Sequence, residues 1–256
     1  MNWMDYVKAP RPLLAVFFLE VVFGAFYAIN FNPFAMDYIK LLIIFFSFQS
    51  LYYAIYLIND VVDYESDKLS PHKQKRPIAS EKISRKNALI FAAILLTIAF
   101  SISYFTSFLL VLFELFFLGY NLLYSYVLKK MPYVDAFAGG VTHAMRFAMG
   151  IALFGIFNEY CLILAILLAV AAYTFIKRLK EIKYHEAALH PIEHYSVKLV
   201  RLLWLLFGVG ILCLLILASG TEQILIGVTL LIYVITILAY VKSKKIEDTL
   251  NEASNY

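Results

Sequence analysis

Residues 38–67 read YIKLLIIFFSFQSLYYAIYLINDVVDYESD, and this stretch decides the fold. Its first part, residues 38–58, is almost wholly apolar, whereas residues 59–67 carry the acidic side chains. A run of about 20 apolar residues is long enough for a helix to cross the hydrocarbon core of a bilayer. The stretch therefore predicts a transmembrane helix that ends in an acidic motif.

The composition of the whole chain places it in lipid. Of its 256 residues, 62% are hydrophobic and 16% are charged, which no soluble domain of this length would tolerate on its surface. The apolar runs are continuous, which favours helices over the short alternating strands of a β-barrel. We expect an all-α, polytopic transmembrane helix bundle of about eight spans that forms one domain over residues 1–256. The expected spans are residues 12–30, 38–58, 87–106, 108–127, 134–157, 160–176, 199–219 and 222–241.

The basic residues predict how the bundle is oriented. Of the 22 Lys and Arg residues, all but Lys40 and Arg146 lie before the first expected span, after the last, or in and beside the loops that follow the second, fourth and sixth spans. Because cytoplasmic loops are enriched in Lys and Arg, both termini are expected on the cytoplasmic side of a cell membrane. The long loops at residues 59–86 and 177–198 share that side, and a water-soluble substrate would bind there.

Asp60, Asp63 and Asp67 follow the second expected span directly. If the helix continues through the motif, these carboxylates share one face, and Asn59 stands one turn from Asp63. Carboxylates on one stripe repel each other unless a hard divalent cation lies between them. Mg²⁺ held by a few carboxylates completes its shell with phosphate oxygens and water. The pattern favours a magnesium site, and the alternative is a solvated acidic loop that ends a helix.

Basic side chains at Lys73, Lys75 and Arg76 come soon after the aspartates. Next to a carboxylate-bound metal, Arg and Lys can neutralise a diphosphate whose other oxygens reach the metal. Lys73 and Arg76 are therefore candidate substrate-binding residues. Basic residues also accumulate in any cytoplasmic loop, so membrane anchoring is the alternative account of them.

A second charged cluster follows the sixth expected span. Lys177 and Arg178 are candidate phosphate ligands, and Glu181 is a candidate catalytic residue. Glu186 and Tyr195 are candidate substrate contacts in the same loop. Since Lys177 and Glu181 are four residues apart, an ordinary surface ion pair on a helix is the alternative.

Further candidates lie inside the fifth expected span and at the end of the fourth. His143 and Arg146 are three residues apart on one helical face, and an arginine inside a membrane is a functional hypothesis by default because its burial is costly. A structural hydrogen-bond network is the alternative for Arg146. Tyr124 and Lys129 are candidate substrate contacts, although tyrosines at a membrane interface commonly form an aromatic belt.

The run Asn59-Asp60-x-x-Asp63-x-x-x-Asp67, followed by Arg76-Pro77, resembles the first signature of the UbiA superfamily of intramembrane prenyltransferases. In that superfamily the motif holds Mg²⁺ and a diphosphate, and the bundle surrounds a cavity open to the lipid. The resemblance implies that Asp60, Asp63 and Asp67 are catalytic metal ligands at the cytoplasmic ends of the helices.

The second signature of the superfamily, DxxxD after the sixth span, is absent from the sequence. Lys177-Arg178-Leu179-Lys180-Glu181 stands in its place, and Arg201-Leu202-Leu203-Trp204 follows. Over residues 56–204 this pattern is similar to the decaprenyl-phosphate phosphoribosyltransferase branch, the decaprenylphosphoryl-5-phosphoribose synthases. Two features depart from it: the superfamily usually has nine spans where eight are expected here, and residues 7–12 read more like general prenyltransferases.

The resemblance implies a Mg²⁺-dependent transferase that moves 5-phosphoribose from phosphoribosyl diphosphate to a polyprenyl phosphate. The first alternative is transfer of an isoprenoid from its diphosphate to an aromatic or glycerol-phosphate acceptor. It predicts a second acidic pair, which only Glu181 and Glu186 offer. The second alternative is a transporter, whose charges should line a midplane pathway rather than one face. The expected partners are the lipid bilayer, a polyprenyl lipid and a diphosphate co-substrate, with no nucleic acid, and a homo-oligomer is compatible with them.

Overall fold

The computed structural model describes residues 3–9, 12–70, 73–155, 160–183 and 195–242. Across these residues the chain is helical and contains no strand, which confirms the expected all-α fold. The α-helices in chain order are α1 (Trp3–Lys8), α2 (Leu19–Ala28), α3 (Tyr38–Val62), α4 (Tyr64–Leu69), α5 (Arg85–Thr106), α6 (Phe108–Tyr126), α7 (Val134–Phe154), α8 (Tyr160–Lys183), α9 (Val197–Leu217) and α10 (Gly220–Lys242).

Seven helices in the described part of the chain, α3 and α5 to α10, are long and apolar enough to cross a bilayer. They correspond to the expected spans from the second onward. The first expected span has a different structure, since a 3-10 helix at Pro12–Phe18 precedes the shorter α2. Pro12 stands at the start of the 3-10 helix, where its missing N–H costs no hydrogen bond. Asn30 and Phe31, both with positive φ, follow the end of α2.

The chain divides into two compact units. The first unit consists of Met1–Tyr126 and Met145–Phe157, and the second consists of Val127–Ala144 and Asn158–Tyr256. Helix α7 therefore contributes its first half to the second unit and its second half to the first. That residues 1–256 form one domain stays a prediction.

In the first unit, α3 packs against both α5 and α6. The second half of α7 packs closely on α2, because a Cβ at Gly24 would lie 2.2 Å from Phe147 O and a Cβ at Gly150 would lie 2.1 Å from Val21 O. Only glycine permits this approach of two helix backbones. The main core of this unit consists of Phe18, Val21, Ile44, Phe48, Leu51, Tyr52, Ile55, Ala99, Leu110, Phe117, Met149 and Leu153.

A smaller apolar cluster in the first unit anchors the loop between α4 and α5. Ile78 and Ile83, both in that loop, are each 1% exposed. They pack with Ala54 and Leu57 of α3 and with Ala88 of α5. Burial of these side chains holds the loop, including the preceding Arg76, against the end of α3.

In the second unit, α8, α9 and α10 pack against one another. The hydroxyl of Tyr233 donates a hydrogen bond to Trp204 O and so joins α10 to α9. A Cβ at Gly140 would lie 2.5 Å from Leu167 O, which shows how closely the first half of α7 approaches α8. At the start of α9, Ser196 caps the helix by accepting a hydrogen bond from Leu199 N.

Candidate active site

Helix α3 ends at Val62, one residue before the middle aspartate of the acidic motif. Asp63 has φ −87° and ψ 3°, in the sparsely populated region between helical and extended conformations, and α4 begins at Tyr64. The motif is therefore irregular at Asp63, although Asp63 N still donates to Asn59 O at 2.9 Å and Asp67 N donates to Asp63 O at 2.7 Å. Asp60 of α3 and Asp67 of α4 share one partner across this irregularity.

Arg76 is that partner. Its Nη1 donates to Asp67 Oδ2 at 2.5 Å and to Asp60 Oδ1 at 3.3 Å. The two aspartates are only 2% and 1% exposed, so their charges would be costly without a cation nearby. Asp67 Oδ1 is also buried, yet it accepts no hydrogen bond from the described residues, and Lys73 Nζ stands 4.0 Å away from it.

Asn59 holds the middle aspartate in place. Its Nδ2 donates to Asp63 Oδ2 at 3.2 Å, while its Oδ1 accepts a hydrogen bond from Ser125 Oγ at 3.0 Å. The last turn of α6 thus orients the Asn59 amide, and the amide in turn orients the Asp63 carboxylate. Sequence reasoning did not select Ser125, whose only signal was its position at the end of an expected span.

Glu81 ties α4 to the following loop at the edge of the aspartate cluster. It accepts hydrogen bonds from Lys68 Nζ at 2.6 Å and from the Tyr64 hydroxyl at 2.5 Å. The hydrogen bond from Lys68 lowers the pKa of Glu81, and the same bond raises the pKa of Lys68. These groups are exposed, so the contact orders the loop without adding much stability.

The aspartate cluster is the candidate magnesium site. Among the described residues, no three carboxylate, imidazole or thiol groups converge as metal ligands, and Arg76 lies between Asp60 and Asp67 instead. The donors nevertheless suit Mg²⁺, which prefers oxygen ligands, and the buried Asp67 Oδ1 lacks a hydrogen bond from the described chain. The metal-binding roles of Asp60, Asp63 and Asp67 fit this geometry and stay predictions.

In the second unit, Arg178 and Tyr195 share the carboxylate of Asp135. Arg178 Nε donates to Asp135 Oδ2 at 2.5 Å, and the Tyr195 hydroxyl donates to Asp135 Oδ1. Burial raises the pKa of Tyr195, and the hydrogen bond to Asp135 raises it further. Sequence reasoning missed Asp135, whose signal is an acidic residue in the first turn of an expected span.

The other candidates after α8 are placed differently. Lys177 is exposed in the second half of α8. The backbone of Glu181 belongs to α8, but its side chain is outside the described part of the structure. Glu186 lies outside the described residues. The roles predicted for all three stay predictions.

Arg146 has an acidic partner in the first unit. Its Nε lies 2.7 Å from Glu20 Oε2, and its guanidinium stands 5.0 Å from the centre of the Phe17 ring and 5.7 Å from that of Tyr52. Sequence reasoning missed Glu20, the one acidic residue of the first expected span. The pair supports the structural alternative for Arg146, whose substrate-binding role stays a prediction.

The remaining candidates occupy three different elements. Tyr124 lies in the last turn of α6, Lys129 lies in a short 3-10 helix at Leu128–Lys130, and His143 lies in α7. All three side chains are half-buried. Their predicted contacts with a substrate stay predictions.

Comparison with known proteins finds one family and several relatives. The family described as the UbiA prenyltransferase family matches residues 14–256. The chain is 25% identical over 244 residues to protoheme IX farnesyltransferase of Alcanivorax borkumensis, which covers 93% of this chain and 74% of that protein. It is 29% identical over 112 residues to protein y4nM of Sinorhizobium fredii. That alignment covers 44% of this chain and 22% of y4nM, so the chain spans about a fifth of that relative.

A solved structure supports the same assignment at the level of the fold. A UbiA homolog from Archaeoglobus fulgidus bound to DMAPP and Mg²⁺ superposes with a TM-score of 0.78 and 16% identity, over 94% of this chain and 88% of that chain. The identity is low, so this likeness concerns the fold alone. The family match, by contrast, covers nearly the whole sequence and includes the aspartate motif. The chain therefore belongs to the UbiA prenyltransferase family, a family of transferases.

Proposed function

We propose that the chain is a Mg²⁺-dependent intramembrane transferase that moves 5-phosphoribose from phosphoribosyl diphosphate to a polyprenyl phosphate. The observation that carries the proposal is the cluster around Arg76, in which buried Asp60 and Asp67 face one guanidinium and Asp67 Oδ1 lacks a hydrogen bond from the described residues. A buried carboxylate oxygen with spare acceptor capacity beside basic side chains suits a divalent cation that carries a diphosphate.

Each residue of the cluster has a specific task. Asp60, Asp63 and Asp67 would hold Mg²⁺ through their oxygens, and Asn59 keeps the Asp63 carboxylate oriented. The ion would supply positive charge to the leaving diphosphate. The Arg76 guanidinium, which faces two of these carboxylates, would pair with diphosphate oxygens. Lys73, whose Nζ is 4.0 Å from Asp67 Oδ1, adds a second cation there.

The proposed reaction exchanges one bond at the sugar for another. The bond between ribose C1 and the diphosphate oxygen breaks, and its electron pair leaves with the diphosphate. An oxygen of the polyprenyl phosphate forms the new bond to C1. Because the acceptor is an ionised phosphate, no side chain has to remove a proton from it. The chain binds and orients both substrates and neutralises the charge that develops on the leaving group.

The basic end of α8 supports phosphoribosyl diphosphate as the donor. This donor carries a phosphate on C5 in addition to its diphosphate, so it needs more positive charge than an isoprenoid diphosphate. In the sequence, Lys177 and Arg178 stand where the second acidic motif of the superfamily would be, and Lys177 is exposed on α8. We propose Lys177 as a ligand of the donor.

Transfer of an isoprenoid is the second candidate function. The observation in its favour is the alignment with protoheme IX farnesyltransferase, which covers 93% of this chain. The aspartate cluster would hold the diphosphate of an isoprenoid donor in the same manner. Glu181 and Glu186 would then serve as the second acidic pair. Under both functions, the location in a cell membrane with both termini cytoplasmic stays a prediction from the basic residues.

Parallel assays with two labelled donors separate the two functions. Both assays use the purified full chain in detergent or nanodiscs, with Mg²⁺ and polyprenyl phosphate. The first assay adds phosphoribosyl diphosphate labelled in its ribose. The second adds an isoprenoid diphosphate labelled in its chain, together with an aromatic acceptor. We expect label in a lipid-linked sugar phosphate from the first donor only. Label transferred from the isoprenoid alone would replace our proposal with the second candidate.

Two matched variants tie the transferred label to the aspartate cluster. Asp63→Ala should abolish transfer while the protein stays folded in detergent. Glu65→Ala is the control, because Glu65 is an exposed acidic residue two positions away in the same motif. The control should keep wild-type activity.

A further inference from the structure

Asp135, in the first turn of α7, is a fully buried carboxylate whose two oxygens are both in use. Oδ2 accepts a hydrogen bond from Arg178 near the end of α8, and Oδ1 accepts one from Tyr195 just before α9. A single carboxylate thereby connects three elements of the second unit. We call Asp135, Arg178 and Tyr195 the Asp135 clasp.

Aromatic side chains enclose the clasp. The ring of Tyr133 lies 4.7 Å from that of Tyr195, and the ring of Phe175 lies 6.1 Å from Tyr195 and 6.2 Å from Tyr133. The hydroxyl of Tyr133 also accepts a hydrogen bond from Ser196 N at 2.7 Å. The enclosure removes water from the clasp, so the ion pair inside it is weakly screened.

Arg178 and its neighbour Lys177 differ in how far their side chains are exposed. Arg178 is 4% exposed and its charge is opposed by Asp135, whereas Lys177 is exposed on the same turn of α8. An anionic substrate that approaches from solvent therefore meets the charge of Lys177 rather than that of Arg178. Reaching Arg178 would require the substrate to open a buried pair and leave Asp135 without its cation, which is unfavourable.

We propose that Asp135 is a positioning residue, which uses Arg178 to fix the end of α8 so that Lys177 contacts the anionic donor. This rests on the proposed function only in treating the substrate as a phosphorylated donor. Arg178 then acts through its pairing with Asp135, and it does not bind a phosphate itself. Lys177 is the residue of the two that determines affinity for the donor.

Paired substitutions in the full chain test this assignment. Asp135→Asn leaves the Arg178 charge buried without compensation, which should shift the end of α8 and raise the KM of the donor at least tenfold with a smaller change in kcat. Asp135→Asn combined with Arg178→Gln removes both charges, and we expect it to restore the KM to within about threefold of wild type, as for a buried pair replaced as a unit. Lys177→Gln should raise the KM at least tenfold. Adding Asp135→Asn and Arg178→Gln to Lys177→Gln should not restore the KM.

Binding of inorganic pyrophosphate in the presence of Mg²⁺, followed by calorimetry, gives a readout that does not depend on which donor is used. We expect the same order: weak binding in Lys177→Gln and in Asp135→Asn, and near wild-type binding in the double variant. If the assays of the two labelled donors refute phosphoribose transfer, this binding series still tests the role of Asp135.

Two results would overturn the inference. One is a double variant as impaired as Lys177→Gln, which would mean that Arg178 itself binds the anion. The other is an Asp135→Asn protein with wild-type KM and pyrophosphate affinity. If Asp135→Asn does not fold, the comparison of the double variant with Lys177→Gln decides alone. Glu222→Gln is the control in the same unit, because Glu222 accepts a hydrogen bond from Leu162 N away from the clasp, and its KM should stay unchanged.

Discussion

Arg146 Nε lies 2.7 Å from Glu20 Oε2, so two opposite charges of the first unit are paired between apolar helices. Removing one partner of a buried ion pair costs about 3–5 kcal/mol when the remaining charge stays fully buried. We expect Glu20→Gln, which leaves Arg146 at 2% exposure, to lower the thermal midpoint in detergent strongly, and Arg146→Met, which leaves Glu20 at 29% exposure, to lower it less. The double variant should recover most of the loss, since it leaves no uncompensated charge.

Thermal unfolding of the three variants, with donor KM measured on the folded fraction, checks this prediction. A normal midpoint in Arg146→Met together with a raised KM would contradict a structural pair. That result would favour the substrate-binding role that the sequence suggested for Arg146.

Arg76 is expected to be indispensable because it is the cation that faces both Asp60 and Asp67. Removing a charged group that stabilises a leaving anion typically lowers kcat by about 10²–10³. We expect a loss of this size in Arg76→Ala, measured as the rate of diphosphate release. Lys75→Ala is the matched control, since Lys75 is an exposed basic neighbour in the same loop. Equal rates for the two variants would remove Arg76 from the site.

Glu114 should matter for stability rather than for catalysis. This carboxyl is fully buried in α6, and it contacts Ser47 of α3 at 2.7 Å and Ser103 of α5. Ala at this position removes one acceptor from two buried hydroxyls, which keep their contact with each other at 2.7 Å, so we expect a total cost of about 1–3 kcal/mol. We expect Glu114→Ala to lower the thermal midpoint and Glu114→Gln, which retains an oxygen acceptor, to lower it less. A midpoint in Glu114→Ala equal to that of the wild type would refute the prediction.

Tyr195 predicts how stability depends on alkaline pH. Burial and the hydrogen bond to Asp135 raise the pKa of Tyr195 above its ordinary value of 10.0, so the folded state keeps a proton that the unfolded state loses. The resulting stability is complete below pH 10.0 and declines as the pH rises from there toward the raised pKa. The wild type should therefore lose more stability above this pH than Tyr195→Phe does. Thermal unfolding across this pH range measures the loss of stability in each protein. Equal losses in the wild type and in Tyr195→Phe would contradict a raised pKa of Tyr195.

The helices and the aspartate motif were predictable because both are local patterns. Apolar runs long enough to span a bilayer predicted α3 and α5 to α10, and the spacing from Asn59 to Asp67 predicted the family. The first span was less regular than its apolar sequence suggested, since hydropathy does not distinguish a 3-10 helix from an α-helix. The irregularity at Asp63 also left no local signal in a run that contains neither glycine nor proline.

The partners of the buried charges were not predictable from local patterns. Glu20 is 126 residues from Arg146, and Asp135 is 43 residues from Arg178. Sequence reasoning recognised that a buried arginine needs a partner, but only the packing of α2 on α7, or of α7 on α8, determines which acid is near. The sequence alone therefore predicts a substrate-binding role for both arginines, whereas in the structure each one is paired with an acidic side chain.

The central claim is that Asp67 and its neighbours hold the diphosphate of the donor through Mg²⁺. The most direct measurement is the calorimetric affinity of the full chain for phosphoribosyl diphosphate, with Mg²⁺ and with EDTA, in the wild type and in Asp67→Asn. We expect binding that disappears with EDTA and weakens at least tenfold in Asp67→Asn, a change of about 1.4 kcal/mol or more. Equal affinity with and without Mg²⁺, or an unchanged affinity in Asp67→Asn, would contradict the claim.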